Sequence, residues 1–503
     1  MVPRVSYPGV YVREVSGSPR PVGRAPTSVT AFLGRTARGP VNVPVTIRSF
    51  ADFERRFGGL WLDSTVSFAI RDFFLHGGKE AVIVRQFAPA SSPGSETPVT
   101  RARIALEGGL ELEAANEGAW GNRLRARVDH DTSGGNNELF HLRVRDDATG
   151  QIEVFRDLST RETDPRRVDR VLERDSALVR SVGPLPESRP AASAAVPAGT
   201  DPFADTSSTT ATALASDGVA LSAPDYLGSR DDKKGLYALE EADIFNLLCI
   251  PPFTLDTDVD HTVWSAAAAY CEEKRAILLI DAPATWNTAT QARKGLAAGL
   301  GTRSRNAALY FPRVLQPNPL RDNHVEAFAP CGAVAGLIAA TDARTGVWKP
   351  PAGRAAQFRN VTGFAVPLTS AELGLLNPRG INCLRWIAAL GHMIWGARTM
   401  QGDNRRASEW KYLSVRRTAL FIEESLHRGL AWVAFESNDE TLWSAIRLSV
   451  GSFMNELYRS GAFQGRSADQ AFFVKCDRET TSQSDIDHGR VNLVVGFAPH
   501  RPA

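Results

Sequence analysis

Two rhythms of apolar positions divide the chain. Between residues 243 and 341, short uninterrupted apolar runs alternate with stretches of helical period. Residues 243–250 (DIFNLLCI), 276–281 (AILLID) and 307–311 (AALYF) predict strands, and 260–274, 291–299 and 332–341 predict helices. The same alternation opens the chain. Strands over 28–33 and 43–47 flank the polar turn GRTARGPVN, and SFADFERRFGG reads as a Ser-capped helix ended by Gly58-Gly59. A helix over 67–76 stops at Gly77-Gly78 and is followed by a strand over 80–87. Strands apolar along their whole length are covered on both faces, so the expected core is a layered parallel α/β sheet.

From about residue 88 the rhythm changes to alternation. Residues 104–113, 123–128, 138–144 and 151–155 place apolar and polar side chains in turn, which predicts a small inserted β-rich domain. Within it, EGAWGNRL sets Trp120 on a Gly-rich turn. A stacking surface for a ligand is one reading of Trp120, and an aromatic anchor on a tight turn is the favoured one. Residues 184–217 are Ala/Pro/Ser/Thr-rich with almost no large apolar side chain. Such a stretch has too little to bury, and a disordered surface loop is expected.

After residue 410 helical spacing dominates. Val415, Ala419, Ile422 and Leu426 share one face of a helix, and Leu442, Trp443, Ile446, Val450, Phe453, Met454, Leu457 and Tyr458 form the stripe of a second. Residues 430–435 read as a strand-like run between them, Ser437 with Glu440 as a capping box, and Gly461 as a stop. Strands over 471–476 and 491–497 follow, with Phe472, Val474, Leu493 and Val495 as their apolar members. A hairpin of two strands is marginal alone and leaves open edges. At the other end of the chain, Val10, Tyr11, Val12 and Val15 form a lone strand behind the Pro8-Gly9 turn, followed by the tether SGSPRPVGRAPTS. That strand has no hairpin partner nearby. It completes either the sheet of its own chain or that of another chain.

Four segments carry a family resemblance: YPGVYVREV at 7–15, TAFLGRTARGPVNVPVTIRSFADFERRFGG at 30–59, EGAWGNRL at 117–124 and RVNLVVGFAP at 490–499. In this order, and with the C-terminal helices, the chain resembles contractile tail sheath proteins of phage tails and contractile injection systems. The resemblance implies a multidomain α/β (α+β overall) protein: an arm and linker (1–27), the first part of the core (28–87), a β-rich insert (88–235), a subtilisin-like α/β domain (236–370) and a C-terminal sheath domain (371–503). It implies a homo-oligomer of many copies in a helical cylinder, with an inner tube protein, baseplate proteins and a terminator as partners. The arm strand would be donated to the hairpin of a neighbour. Arg447, Glu456 and Arg459, on the polar side of the last helix, would face the tube, a solvated helix face being the plain alternative. Such chains usually continue into one further strand beyond the FAP segment, whereas this sequence stops at Ala503.

Composition adds exclusions. The 503 residues are 43% hydrophobic and 23% charged, and a net charge of +2 makes no case for a polyanion-binding protein as a whole. The five cysteines, Cys249, Cys271, Cys331, Cys383 and Cys476, include no C-x-x-C pair and mostly sit in apolar runs, which predicts buried thiols. No Sec-type apolar segment opens the chain and no apolar run reaches membrane-spanning length, so soluble assembly in the cytoplasm without membrane insertion is expected. Asp281 at a strand end, His261, His324 and Ser304 are the raw material of a hydrolase. No G-x-S-x-G elbow, H-E-x-x-H or P-loop accompanies them. No catalytic, cofactor or metal residue is assigned, and a structural role is expected. A non-contractile polymerising scaffold is the alternative, and a serine hydrolase a more distant one.

Overall fold

The computed structural model of the protein describes residues 21–90 and 99–502. The expected arm strand, Val10 to Val15, lies outside them. The chain forms two compact units. The larger comprises Ser28–Ala340 and Pro351–Lys411, and the smaller comprises Tyr412–Ala503 with Thr341–Pro350 and the N-terminal stretch to Thr27.

The larger unit begins with β1 (Thr30–Gly34), β2 (Val45–Ile47), α1 (Phe50–Phe57), α2 (Val66–Leu75) and β3 (Ala81–Arg85). An insert follows, containing β4 (Arg103–Ala105), β5 (Glu111–Ala114), β6 (Leu124–Asp129), β7 (Leu139–Asp146), β8 (Ile152–Ser159), α3 (Val168–Asp175), β9 (Val179–Val182) and β10 (Thr209–Thr210). The chain then returns through α4 (Ala223–Leu227), β11 (Leu247–Cys249), α5 (His261–Glu273), β12 (Ile277–Asp281), α6 (Ala289–Ala298) and β13 (Ala307–Phe311). It continues through β14 (Val314–Asn318), β15 (His324–Phe328), α7 (Cys331–Arg344), β16 (Gly363–Phe364), α8 (Ser370–Leu376), β17 (Ile381–Ile387) and β18 (Gly391–Ile394).

Eight of these strands make one sheet in the order β18-β17-β13-β12-β11-β1-β3-β2. The six inner strands are parallel, and β2 and β18 run antiparallel at the edges. Every residue of β1, β3, β12 and β13 is buried, as their uninterrupted apolar sequences require. On one face, Val263, Trp264 and Ala267 of α5 and Ala292 and Leu296 of α6 pack on Leu278, Ile280 and Leu309. Elsewhere α7 lies against α2 with almost no side chain between them. A Cβ on Gly332 would collide with the Ala69 carbonyl and one on Gly336 with the Phe73 carbonyl. The two glycines stand four residues apart, on one face of the helix.

The insert has its own core, in which Leu112, Leu124, Val128, Phe140, Leu142 and Leu172 are fully or almost fully buried. It is joined to the sheet by Arg85, a guanidinium only 1% exposed. Arg85 donates to the carbonyls of Thr36 (3.1 Å), Gly39 (2.6 Å) and Glu117 (2.9 Å). Burial pushes its pKa down to about 10, against the pull of Glu117. The EGAWGNRL turn belongs to this joint. Trp120 Nε1 donates to the Asn116 and Glu117 carbonyls at 3.2 Å while the ring packs on the insert core, so Trp120 is an anchor.

Three expectations need correction. Residues 184–217 do not form a disordered loop but lie along the insert. Ser193 N–H donates to Val128 O (2.9 Å), Thr209 pairs with Ala126, and Asp201 and Asp205 meet Arg145 (2.8 Å) and Arg125 (2.6 Å). Phe203, the single large aromatic of the stretch, is 3% exposed beneath the Arg145 guanidinium, 4.7 Å from ring centre to Cζ. Arginine fixation on a neighbouring sheet replaces the core that composition denies the segment. Residues 371–411, expected in the C-terminal domain, fall in the larger unit because β17 pairs in parallel with β13. Residues 430–435 are not strand-like, since Ala431–Val433 is a 3-10 turn.

Truncating Phe203 to Ala should loosen residues 201–208 by about 3 kcal/mol. Limited proteolysis and amide exchange would register this in that segment, with the unfolding midpoint of the rest of the chain unchanged.

Candidate functional site

The smaller unit contains α9 (Leu413–Gly429), α10 (Glu440–Arg459), α11 (Ala468–Ala471), β19 (Phe472–Lys475), α12 (Gln483–Asp487) and β20 (Val494–Phe497). The stripe predicted for α10 is the buried one: Leu442, Trp443, Ile446, Val450, Phe453, Met454 and Leu457 line the core of the unit. Its cap is Asp439, whose carboxylate accepts from Thr441 N (2.9 Å) and Leu442 N (3.0 Å), rather than Ser437. Asp439 stands next to the first helical residue, which Ser437 does not.

β19 and β20 form an antiparallel hairpin in which Val474 stands opposite Val495 and Phe472 opposite Phe497. Phe472, Val474, Val495 and Phe497 pack toward the α10 core, and Leu493, just before β20, does the same. The four predicted hairpin residues are thus brought together on one face. The other face carries Phe473 and Val494, about half exposed, with the Phe473 ring lying over Gly496. The sheet has two strands and no third among the described residues, apart from a single bridge between Phe463 and Pro499. Its outer backbone edges are therefore open to a further strand.

The root of the N-terminal tether is docked on the same unit. Val22 is buried in the α9–α10 core and lies so close to Gly429 that a Cβ there would touch it. Ala25 N–H donates to Ser425 Oγ at 3.0 Å, and Arg24 reaches Glu456 (2.8 Å) and Ser460 Oγ (2.9 Å). Beneath them Arg417 makes a two-pronged ion pair with Asp342, at 2.8 and 2.6 Å, and donates to the Thr27 carbonyl at 2.8 Å. Thr27 Oγ1 donates to the same carboxylate at 2.7 Å. The Arg417 and Asp342 side chains are 3% and 4% exposed. Sequence reasoning passed over this anchor. The available signal was an arginine placed in an apolar helical stretch, between Val415 and Ala419.

The three charges proposed to face a partner have different surroundings. Arg447 is engaged within its chain, with Glu440 at 2.6 Å and with the Cys476 carbonyl. Glu456 is held by Arg24. Arg459 is exposed and makes no ion pair among the described residues.

The hydrolase constituents do not converge. Ser304 Oγ donates to Glu272, His261 is stacked on Trp264 with centroids 5.7 Å apart, and His324 is exposed on β15. Asp281 is buried and accepts from Cys331 N–H, the first residue of α7, at 2.8 Å. Burial raises its pKa to about 6, against the hydrogen bonds from Cys331 and the charge of Arg313. Among the described residues no group of three or more His, Cys, Asp or Glu side chains could hold a metal ion. None of the described helices is long and apolar enough to cross a membrane. All five cysteines are free and buried.

Comparison with known proteins gives one consistent match. Residues 220–400 match the phage tail sheath protein central domain, and residues 406–503 the phage tail sheath C-terminal domain, together more than half of the chain. A prophage major tail sheath protein of Pseudomonas aeruginosa (strain UCBPP-PA14) is 26% identical over 251 residues, 48% of this chain and 59% of that protein. The tail sheath protein of Vibrio phage KVP40 is 28% identical over 169 residues, 33% of this chain and 24% of its own. The chain therefore spans well under two thirds of these relatives. Among solved structures, the sheath complex of the extracellular contractile injection system PVC in its contracted state shares the fold. It matches with a TM-score of 0.59 and 18% identity, over 100% of this chain and 96% of the other.

Two predictions follow from these environments. Arg417→Met should cost about 3–5 kcal/mol in urea unfolding and expose the tether root to protease, because it strands a buried carboxylate. Arg417→Met combined with Asp342→Leu should recover much of the loss. Asp281 binds its proton more tightly folded than unfolded, so its contribution is present below about pH 4 and lost as pH rises through about 6. The stability of Asp281→Asn relative to the native chain should therefore increase by up to about 3 kcal/mol between about pH 4 and pH 7.

Proposed function

This chain belongs to the phage tail sheath protein family, and on that premise we propose that it is the sheath subunit of a contractile tail or injection system. Many copies polymerise, in the cytoplasm, into a helical cylinder around an inner tube. The cylinder is bounded by baseplate and terminator proteins, and its contraction drives the tube through a target envelope. The observation that carries this reading is the open two-stranded hairpin on the unit that also holds the tether root. The arm strand, with Val10, Tyr11, Val12 and Val15, pairs with the hairpin built on Phe472, Val474, Leu493 and Val495 in a neighbouring subunit. A strand donated through a Pro/Gly/Ser tether keeps subunits linked while they rotate and slide.

The work is conformational and needs no chemistry in the chain. An extended array of higher free energy relaxes to a contracted one, each subunit keeping its fold while its contacts change. The dispersal of Asp281, His261, His324 and Ser304 supports a non-enzymatic role. Of the three candidate charges on α10, Arg459 alone has no ion-pair partner among the described residues and is the one offered to the tube, whereas Arg447 and Glu456 serve their own chain.

Negative-stain microscopy of the purified chain, alone and with its tube protein, tests the reading. Hollow cylinders are expected in both cases, wider and shorter without the tube. Monodisperse particles under both conditions would point instead to a non-contractile binding module. Deleting residues 1–15 should leave a folded subunit that no longer assembles, and normal cylinders from that deletion would sink the donated strand.

A further inference from the structure

One cleft of the larger unit gathers positive charge that its own chain does not balance. It encloses about 270 Å3 between the C-terminal end of α6, the residues just before β13 and β17, and the turn that holds Asp403 and Arg405. Arg293, Lys294, Arg303, Arg379 and Arg405 line it, against a single carboxylate, Asp403. Arg405 already pairs with that carboxylate at 2.7 Å. Arg303 donates to the Leu296 carbonyl (2.8 Å) and Arg379 to the Leu375 carbonyl, at the C-terminal ends of α6 and α8. A cation is favoured at such an end, which accounts for those two. It does not account for Arg293 and Lys294, both exposed, or for Arg405, whose side chain is 79% exposed. Among the described residues Arg293, Lys294, Arg303 and Arg379 make no ion pair. Cations crowded into one concavity repel one another, and carboxylates brought from outside relieve them.

The complementary charge lies at the other end of the same sheet. β11, β12, β13 and β17 are parallel. The cleft sits at the N-terminal ends of β13 and β17, whereas the loop LDTDVD (255–260) follows the C-terminal end of β11. Asp256, Asp258 and Asp260 are exposed on it. Asp258 accepts from Ala284 N–H (2.7 Å) and Arg313 (2.9 Å), both through Oδ1. Asp260 caps α5, accepting from Thr262 N–H (2.7 Å) through Oδ1. Asp256 makes no ion pair among the described residues, and Arg313, which balances Asp258, is itself buried. The internal bonds fix the loop while Oδ2 of Asp258 and of Asp260 remains available, so little further ordering is needed on binding.

We propose that residues 256–260 of one copy enter the basic cleft of a second copy, the carboxylates of Asp256, Asp258 and Asp260 meeting Arg293, Lys294 and Arg405. This rests on the reading that many copies assemble. Loop and cleft are different surfaces at opposite ends of one sheet, so the contact is heterologous. Each copy that inserts its loop still offers its own cleft to the next, and the contact propagates along the assembly rather than closing as a two-fold dimer.

Charge reversal separates the contact from folding. Arg293→Glu combined with Lys294→Glu, and separately Asp256→Lys, should leave the thermal midpoint of the isolated subunit within about 2 °C of native. Each should lower the yield of cylinders about tenfold or more. The chain carrying all three substitutions should recover most of that yield, because the charges match again. In cylinders built from a mixture of isotope-labelled and unlabelled native chains, a carbodiimide should join Lys294 of one chain to Asp256 of another, read by mass spectrometry as a hybrid peptide pair. Normal cylinders from either reversal, or cylinders without that hybrid pair, would overturn the contact and leave the sheath reading standing. So would a cleft reversal that Asp256→Lys does not rescue, which would assign the cleft to a different acidic partner. A native chain that forms no cylinders under any condition would bring down both.

Discussion

The unpaired backbone of the C-terminal hairpin is the constraint from which the reading of this protein follows. Strand N–H and C=O groups need partners, and along most of the large sheet the fold supplies them. The outer edge of β18 is covered by residues 356–358, with Phe358 N–H donating to His392 O and Ile394 N–H to Ala356 O. The inner strands of the large sheet are paired on both sides. Only at β19 and β20 does the described chain leave a sheet of two strands. The large sheet is covered at β18, whereas the hairpin has no third strand among the described residues, and the proposed strand addition would use that edge.

Buried arginines fasten the pieces. Arg85 gathers three carbonyls, two from the loop after β1 and one from the insert, to hold the insert on the sheet. Arg417 binds a carboxylate and a carbonyl at the tether root. Arg313 pins the loop after β11 by two carbonyls and Asp258. In each case a planar fork with five donors satisfies backbone acceptors that no strand or helix reaches. These joints are costly to desolvate, so they specify where segments meet more than they stabilise them.

Legibility from sequence followed the same division. Strands buried on both faces announce themselves: the run at residues 307–311 is β13 residue for residue, and 276–281 and 80–87 miss by one or two at their ends. The two C-terminal helices were readable from their stripes. What misled was segments whose order comes from distant partners. Residues 184–217 look unfoldable by composition because their fixation lies in Arg125 and Arg127 on β6 and Arg145 on β7. Residues 430–435 look like a strand because Phe435 adds an apolar residue that never enters a core. Arg85 and Arg417 were invisible as joints, since an arginine in a sequence looks the same whether it faces water or three carbonyls. Of the candidate assembly residues, the hairpin's apolar face was legible by alternation. The anchor at Thr27 was not, because it depends on Asp342, more than 300 residues away.

That anchor also has a mechanical meaning. Thr27 lies near the end of the tether, three residues before β1, and Asp342 and Arg417 grip it there. A pull on the arm meets this clamp before it meets the sheet. Arg417 on α9 and Asp342 in the last turn of α7 would take up that load first. Such a strain relief, like the knot behind a plug, acts where the chain is gripped rather than at the first strand.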